Sequence, residues 1–229
     1  MEIAQTADHA LRILLSLSTD GTQSIGELSE RLGLARTVTR RLVVTLQARA
    51  FVKVDGGRVS IGPSILAIAA KGVPDVYREA QPLLDELARD TGETVVVSVL
   101  EGKEALVVAS AISDAHPLRV EYRLGFRHLV ANGAAGRAIL LNLPPAKADA
   151  LLIASDPDSS RLETYQEERE QGYALSHDEL RLGACGVAVP LRIAQREGSL
   201  SIVAPAGRGD ELARHLSKLQ DVAAKLSEI

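Results

Sequence analysis

The sequence lacks the residues and segments on which several classes of protein depend. It contains one cysteine, Cys185, in 229 residues, which excludes an internal disulfide and a cysteine-based zinc site and fits a reducing compartment. No apolar run reaches the roughly 18 residues of a membrane span, and no basic segment opens the chain as in a signal peptide. The sequence therefore predicts a cytoplasmic protein that makes no contact with a membrane.

Motifs for catalysis and for cofactor binding are also missing. The five histidines show no metal-ligand spacing, and no glycine-rich phosphate loop is present. A cysteine-dependent hydrolase or thiol enzyme could use Cys185 with His177, but the sequence offers no third partner for them. We expect no enzyme, no metal and no cofactor, and keep the thiol enzyme as an alternative.

Positive charge is concentrated near the N-terminus, although the whole chain has a net charge of −4. Residues 31–58 contain seven basic residues against the single acidic Asp55, whereas the chain after residue 62 has a net charge of −6. A basic segment on an acidic protein indicates a local polyanion site. A solvated helix face would explain the charge equally well.

The first 62 residues predict a winged helix-turn-helix. Apolar residues at helical spacing predict a helix over 5–17, and Ser24 with Glu27 forms a capping box that starts a second helix. Gly33 allows a tight turn into a third helix over 35–48. Two short strands follow, separated by the hairpin signal Asp55-Gly56-Gly57.

The third helix is predicted to read DNA through the side that faces away from its packing residues Val38, Leu42, Thr45 and Leu46. Arginine matches the two major-groove acceptors of guanine, and basic residues of the wing suit phosphate contacts. The candidate DNA-binding residues are Arg36, Thr37, Thr39, Arg40, Arg41, Lys53 and Arg58. A helical hairpin used for packing, or a winged-helix protein-interaction module, is the alternative.

The pattern changes after the wing. Residues 63–73 predict a linker helix whose apolar surface is a candidate dimer contact, and residues 74–229 predict a larger domain. Strands are expected at 94–100, 105–109, 118–124, 186–193 and 199–203, and helices at 75–91, 133–143, 145–154, 160–171 and 210–227. This is an α+β fold in which helices flank an antiparallel sheet.

The segment from Ser24 to Leu42, SIGELSERLGLARTVTRRL, resembles the DNA-binding motif of the IclR family of bacterial transcriptional regulators. Further matching segments, in family order along nearly the whole chain, are Gly62-Pro63, RDTGET at 89–94, PLRV at 117–120, Gly172-Tyr173-Ala174 and Ala204-Pro205. The resemblance implies a GAF-like effector-binding domain, a small-molecule effector, and a homodimer or homotetramer. We expect a repressor on a roughly palindromic operator, although the family also contains activators.

The resemblance also places an effector pocket among residues 130–137, 174–186 and 199–203. The candidate residues are Asn132, Gly133, Ala134, Ala135, Ser176, Gly186, Ser201 and Val203. Free amides at the helix start after Asn132 favour a carboxylate, unless the small residues serve only for close packing.

Two departures from the family pattern bear on the ligand. Ser176 stands where members often have an acid, and Gly186 where they often have a cysteine, which leaves Cys185 one place away. A shift of one residue turns a strand side chain to the other face, so the sequence leaves open whether Cys185 faces the pocket. We therefore expect a less polar pocket and a larger, partly apolar carboxylic or aromatic acid.

Overall fold

The structure, a computed structural model, describes residues 3–72, 75–155 and 161–229. The chain folds as two compact units, Met1–Val73 and Pro74–Ile229. Within the described ranges, no helix combines the length and the apolar character that crossing a membrane requires.

The first unit is a winged helix-turn-helix, as predicted. It contains α1 (Gln5–Asp20), α2 (Ile25–Leu32), α3 (Arg36–Ala48) and α4 (Ser64–Gly72), with strands β1 (Gln23–Ser24), β2 (Val52–Asp55) and β3 (Arg58–Ile61). The strands form an antiparallel sheet in the order β1-β3-β2. Its core joins α1, α2 and α3 to the hairpin of β2 and β3 through Ile13, Leu28, Leu42, Val52 and Val59.

Local contacts explain where α2 begins and ends. The Oγ of Ser24 accepts a hydrogen bond from the Glu27 amide at 3.2 Å, and the Glu27 carboxylate accepts one from the Ser24 amide at 2.6 Å. The predicted capping box is therefore confirmed. Gly33 ends the helix with φ at 65°, in the left-handed region that glycine adopts without a steric cost.

The second unit is built on a six-stranded antiparallel sheet in the order β6-β5-β4-β9-β8-β7. Its strands are β4 (Thr94–Glu101), β5 (Glu104–Ala111), β6 (Arg127–Leu129), β7 (Ala174–His177), β8 (Ala184–Ile193) and β9 (Arg196–Pro205). The helices are α5 (Asp75–Thr91), α6 (Gly133–Leu141), α7 (Pro145–Ser155), α8 (Leu162–Gln171) and α9 (Leu216–Leu226), and Ala206–His215 form a 3-10 helix.

Side chains of β4 alternate between the two faces of this sheet, as a pleated strand requires. Val95, Val97 and Val99 pack in the cluster that holds Leu84 of α5 and Leu219 of α9. Val96 points to the opposite face, where it joins Val107, Tyr122 and Val203 in a second cluster. A bulge between Val97 and Ser98 shifts the register between β4 and β5.

Several predicted elements are wrong. Residues 118–124 form no strand, because the edge of β5 pairs instead with Arg127–Leu129 and leaves that segment without a partner strand. The predicted helix over 210–227 starts as a 3-10 helix and becomes α-helical only at Leu216, which is consistent with the low helix propensity of Gly207 and Gly209. Residues 174–186, for which no element was predicted before residue 186, contain β7 and the start of β8.

Candidate functional site

The exposed side of α3 carries unpaired positive charge. Arg36, Thr37, Arg40 and Arg41 are all exposed. Among the described residues, none forms an ion pair or side-chain hydrogen bond with the guanidinium groups of Arg36, Arg40 or Arg41. These three groups keep all their donors available for an external acceptor such as a base or a phosphate.

The packing face of α3 differs from the predicted one. Thr39 is fully buried, and its Oγ1 donates to the Ala35 carbonyl at 3.3 Å, so its assignment as a DNA-contacting residue is wrong. Val43 is buried as well, whereas Val38 is 37% exposed. Because α1, α2 and β2 all contact α3, its buried stripe runs through positions 39, 42, 43 and 46.

The two candidate basic residues of the wing, which is the hairpin of β2 and β3, differ in their surroundings. Lys53 is exposed and pairs with no described residue. Arg58 donates to the Glu27 carboxylate at 3.1 Å and to the Thr22 carbonyl at 2.6 Å. Arg58 therefore ties β3 to the start of α2, and its guanidinium is partly occupied within the protein.

The second unit contains a cavity with about 460 Å³ of space not filled by atoms, a volume that includes open solvent. It lies beside the start of α6, on the sheet face that carries Val96. Its wall comprises Val96, Ser98, Val107, Tyr122, Phe126, His128, Ala134, Ala135, Ser176, Glu179, Leu180, Ala184, Cys185, Gly186, Ser201 and Val203. Six of the eight predicted effector residues thus line one cavity, and Asn132 and Gly133 do not.

The start of α6 is partly occupied by the protein itself. The Gly133 amide, expected to be free, donates to Oε2 of Glu179 at 2.7 Å. Gly133 has φ at 77°, and a Cβ there would lie 2.8 Å from Cδ1 of Leu180, so this close approach requires glycine. The next two amides, of Ala134 and Ala135, donate to no described residue.

Glu179 belongs to a buried ion cluster that the sequence did not reveal. Arg137, fully buried, donates to Glu168 at 2.8 Å and to Glu179 at 2.6 Å, and Arg161 pairs with Glu179 at 3.0 Å. Burial opposes the charge of Arg137, but its bonds to the two carboxylates outweigh burial and raise its pKa. The cavity wall therefore contains an acidic residue, Glu179, three residues after Ser176, which corrects the expectation of a less polar pocket.

Two further polar side chains in the cavity wall, Ser98 and His128, were also missed. Ser98 is 1% exposed, and its Oγ has no hydrogen-bond partner. The Nδ1 of His128 lies 3.0 Å from the Leu129 carbonyl, and burial lowers the pKa of this imidazole. Cys185 borders the cavity, but its side chain packs on the opposite face of the sheet, in the cluster that holds Val95 and Val97. Its thiol donates to the Ala204 carbonyl at 3.3 Å, and burial raises its pKa.

The surroundings of Cys185 do not resemble those of an activated thiol, which needs a lowered pKa and a nearby base. His177 lies opposite Cys185 in the β7–β8 ladder but pairs with Asp178 at 3.1 Å. In the described part of the chain, no three His, Cys, Asp or Glu residues form a group suited to a metal ion.

Aromatic rings form another part of the cavity wall. Tyr122 and Phe126 stack with their centroids 4.9 Å apart and their planes at 29°. The guanidinium of Arg181 lies over the Tyr122 ring, 5.5 Å from its centroid. A flat apolar ligand would find matching surface there.

Comparison with known proteins agrees with this architecture. Residues 69–228 match the family model described as bacterial transcriptional regulator IclR C-terminal, and residues 6–56 match that of the IclR helix-turn-helix domain. The HTH-type transcriptional regulator XynR of Escherichia coli is 27% identical, with 99% of this chain and 97% of that protein covered.

Two solved structures show the same fold. An IclR transcriptional regulator from Alicyclobacillus acidocaldarius has a TM-score of 0.81 and 28% identity over 99% of both chains. An IclR homologue from Microbacterium hydrocarbonoxydans, solved with 4-hydroxybenzoate, has a TM-score of 0.78 and 19% identity over 97% of this chain and 98% of that one. With both units matched in order along the chain, this protein belongs to the IclR family of bacterial transcriptional regulators.

Proposed function

We propose that this regulator is an effector-controlled repressor that acts in the cytoplasm and catalyses no reaction. In this assignment, residues 1–62 bind the operator, residues 63–73 link the domains, and residues 74–229 bind the effector. The observation that carries the DNA part is the exposed side of α3, where three arginines are unpaired within the described chain. The cavity beside α6 carries the effector part.

The DNA contacts divide between base reading and phosphate binding. Arg36 and Arg40 lie one helical turn apart, so both can enter the major groove and address neighbouring base steps. Thr37, Arg41 and Lys53 suit phosphates, and Arg58 could add a contact with the guanidinium edge that Glu27 leaves free.

A homodimer would match a roughly palindromic operator. The first unit exposes Leu11 of α1 and Leu66 and Ile68 of α4 at 59%, 73% and 56%, which supports a second copy as their cover. The resemblance to the IclR family also supports the assembly of such dimers into a homotetramer.

The DNA proposal is tested by replacing Arg40 with alanine. If Arg40 reads a base, operator affinity falls about 5- to 150-fold, which corresponds to roughly 1–3 kcal/mol. The matched control is Arg31→Ala on α2, where Arg31 is also exposed but pairs with Asp20 at 2.7 Å. Fluorescence anisotropy on the DNA upstream of the gene measures both variants. Equal losses would show that only net charge matters, and unchanged binding by Arg40→Ala would remove it from the interface.

For the effector we propose an aromatic carboxylic acid. The free amides of Ala134 and Ala135 at the positive end of α6 suit a carboxylate, and the charge of Glu179 is balanced by Arg137 and Arg161. Tyr122 and Phe126 suit a ring. The relative that holds 4-hydroxybenzoate supports the same class. The contacting residues would be Ala134, Ala135, Ser176, Gly186, Ser201 and Val203, with Asn132 and Gly133 shaping the helix start.

The ligand can change DNA affinity only if it binds the two states of the protein unequally. Titration of benzoate into the full chain, followed by calorimetry and by operator binding in parallel, tests this. Binding that releases DNA supports a repressor whose ligand induces transcription. Binding that leaves DNA affinity unchanged would contradict effector control.

A further inference from the structure

We propose that Ser98 reads a hydroxyl group on the effector, so that the cavity prefers a hydroxylated aromatic acid to an unsubstituted one. This inference rests on the proposed effector site. Ser98 is 1% exposed, lines the cavity, and has no hydrogen-bond partner for its Oγ. Buried hydroxyl groups almost always have a partner, so an unpaired one facing a cavity indicates a partner that arrives with the ligand.

Ser98 interrupts an otherwise apolar strand. Val95, Val96, Val97 and Val99 surround it in β4, and any aliphatic residue would suit the apolar side of the cavity better. The register between β4 and β5 shifts at this point because Val108 of β5 has no partner in β4. Ser98 keeps its regular pairing with Ser199 of β9, so its side chain lies on the same face as that of Val96, toward the cavity.

Two other polar groups of the wall, Ser201 and Glu179, are already used within the protein. The Oγ of Ser201 donates to the Val96 carbonyl at 3.2 Å. Glu179 accepts from the Gly133 amide, from both terminal nitrogens of Arg137 and from Arg161, so its oxygens have little capacity left for a ligand. Of the wall hydroxyl groups that have no partner among the described residues, that of Ser98 is the most deeply buried, since Tyr122 is 8% exposed and Ser176 is partly exposed.

The chemistry of the group that Ser98 binds follows from its surroundings. No lysine or arginine is among the described residues that line the cavity, and the nearby wall consists of Val96, Val107 and the Tyr122–Phe126 pair. A neutral hydroxyl on an aromatic ring can bond to Ser98 while its ring packs on these side chains. A second charged group on the ligand, in addition to its carboxylate, would lose its hydration there without gaining a counter-ion.

A matched control lies directly across the sheet. Ser199 of β9 faces Ser98 in the β4–β9 ladder and is fully buried, and its Oγ also lacks a partner. Ser199 is not part of the cavity wall. Comparing Ser98→Ala with Ser199→Ala in the full chain therefore separates contact with a ligand from loss of a buried hydroxyl.

The experiment measures calorimetric affinities of both variants and the wild type for benzoate, 3-hydroxybenzoate and 4-hydroxybenzoate. We expect the wild type to bind one hydroxylated probe about tenfold or more tightly than benzoate, the factor that one hydrogen bond supplies. Ser98→Ala should lower this ratio to about one and leave benzoate binding unchanged, and Ser199→Ala should keep the ratio. Without ligand, the Tm of Ser98→Ala should equal or exceed that of the wild type.

Several results would overturn the assignment. If the wild type shows no preference, or Ser98→Ala retains it, Ser98 does not read the hydroxyl, while the aromatic-acid class stands because benzoate still binds. A Tm several degrees lower for Ser98→Ala would show a structural role instead. If none of the three probes binds the wild type, both the aromatic-acid class and the role of Ser98 fail, whereas DNA binding is judged by Arg40→Ala alone.

Discussion

The guanidinium of Arg137 holds the carboxylate of Glu179 at 2.6 Å, from Nη1 to Oε2, and so joins α6 to the connection between β7 and β8. Arg137 is fully buried and Glu179 lines the cavity, so a ligand that displaces this connection acts directly on α6. Glu168 and Arg161 complete the cluster, which contains two positive and two negative groups. The cluster is thus both a structural support and a wall of the effector cavity.

Replacing Arg137 with methionine should destabilise the second unit by about 3–5 kcal/mol, because it leaves Glu168 and Glu179 buried without their main counter-ion. Urea unfolding followed by circular dichroism measures the loss. The control is Arg192→Met, because Arg192 is 66% exposed and pairs with Glu197 at 2.6 Å; its loss should be about 0–1 kcal/mol. Similar losses in both variants would mean that the buried cluster contributes no more than a surface pair.

The two threonines at the start of α3 should differ in their effect on DNA binding. Thr39→Val preserves shape at a buried position, so operator affinity should stay within about twofold, much less than one hydrogen bond contributes. Thr37→Val removes an exposed hydroxyl and should weaken binding by about two- to tenfold. Anisotropy titrations measure both variants. A stronger effect from Thr39→Val would return Thr39 to the interface and place α3 in a different orientation on DNA.

The features that sequence patterns predicted correctly are local. Ser24 and Glu27 are three residues apart, and their capping box depends on little beyond that spacing. The helical spacing of apolar residues likewise located α1 and α5. Thr39 shows that an ideal helical wheel can misplace a packing face by one position when three elements contact one helix.

The features that sequence patterns missed depend on distant residues. Glu179 meets Arg137 across 42 positions, and the burial of Ser98 depends on strands that lie about 100 residues further along the chain. An arginine within the small-residue helix GAAGRAILL was the one available signal for the cluster, since a buried arginine requires acidic partners. No comparable signal marked Ser98, because an isolated serine in a valine-rich strand has no pattern of its own.

Cys185 should react slowly with thiol reagents. Burial raises the pKa of its thiol, so at neutral pH the thiolate fraction is smaller than that of a free cysteine, and the thiol is only 6% exposed. Because Cys185 is the single cysteine, labelling by iodoacetamide followed by mass spectrometry reports on it alone. Labelling as fast as in urea-unfolded protein would contradict this burial.

His128 should make stability depend on pH below neutrality. Burial lowers its pKa from the ordinary 6.5, so between pH 6.5 and the folded-state pKa the unfolded chain binds more protons than the folded one. The free energy of unfolding therefore falls as pH falls through this window. Below the window His128 is protonated in both states and causes no further change with pH. Burial and two neighbouring cations, Arg214 and Lys218, also lower the pKa of His215, which acts in the same direction.

Glu168 acts in the opposite direction, because burial raises the pKa of its carboxyl and the folded state then takes up protons more readily at lower pH. The contribution of His128 is isolated by comparing the wild type with His128→Gln, since glutamine does not titrate. Urea unfolding at pH 5 to 8 should show a shallower pH dependence for His128→Gln than for the wild type, and His215→Gln should change the dependence in the same direction. Identical curves for the wild type and His128→Gln would mean that the imidazole keeps its ordinary pKa in the folded protein, and would argue against its burial beside the Leu129 carbonyl.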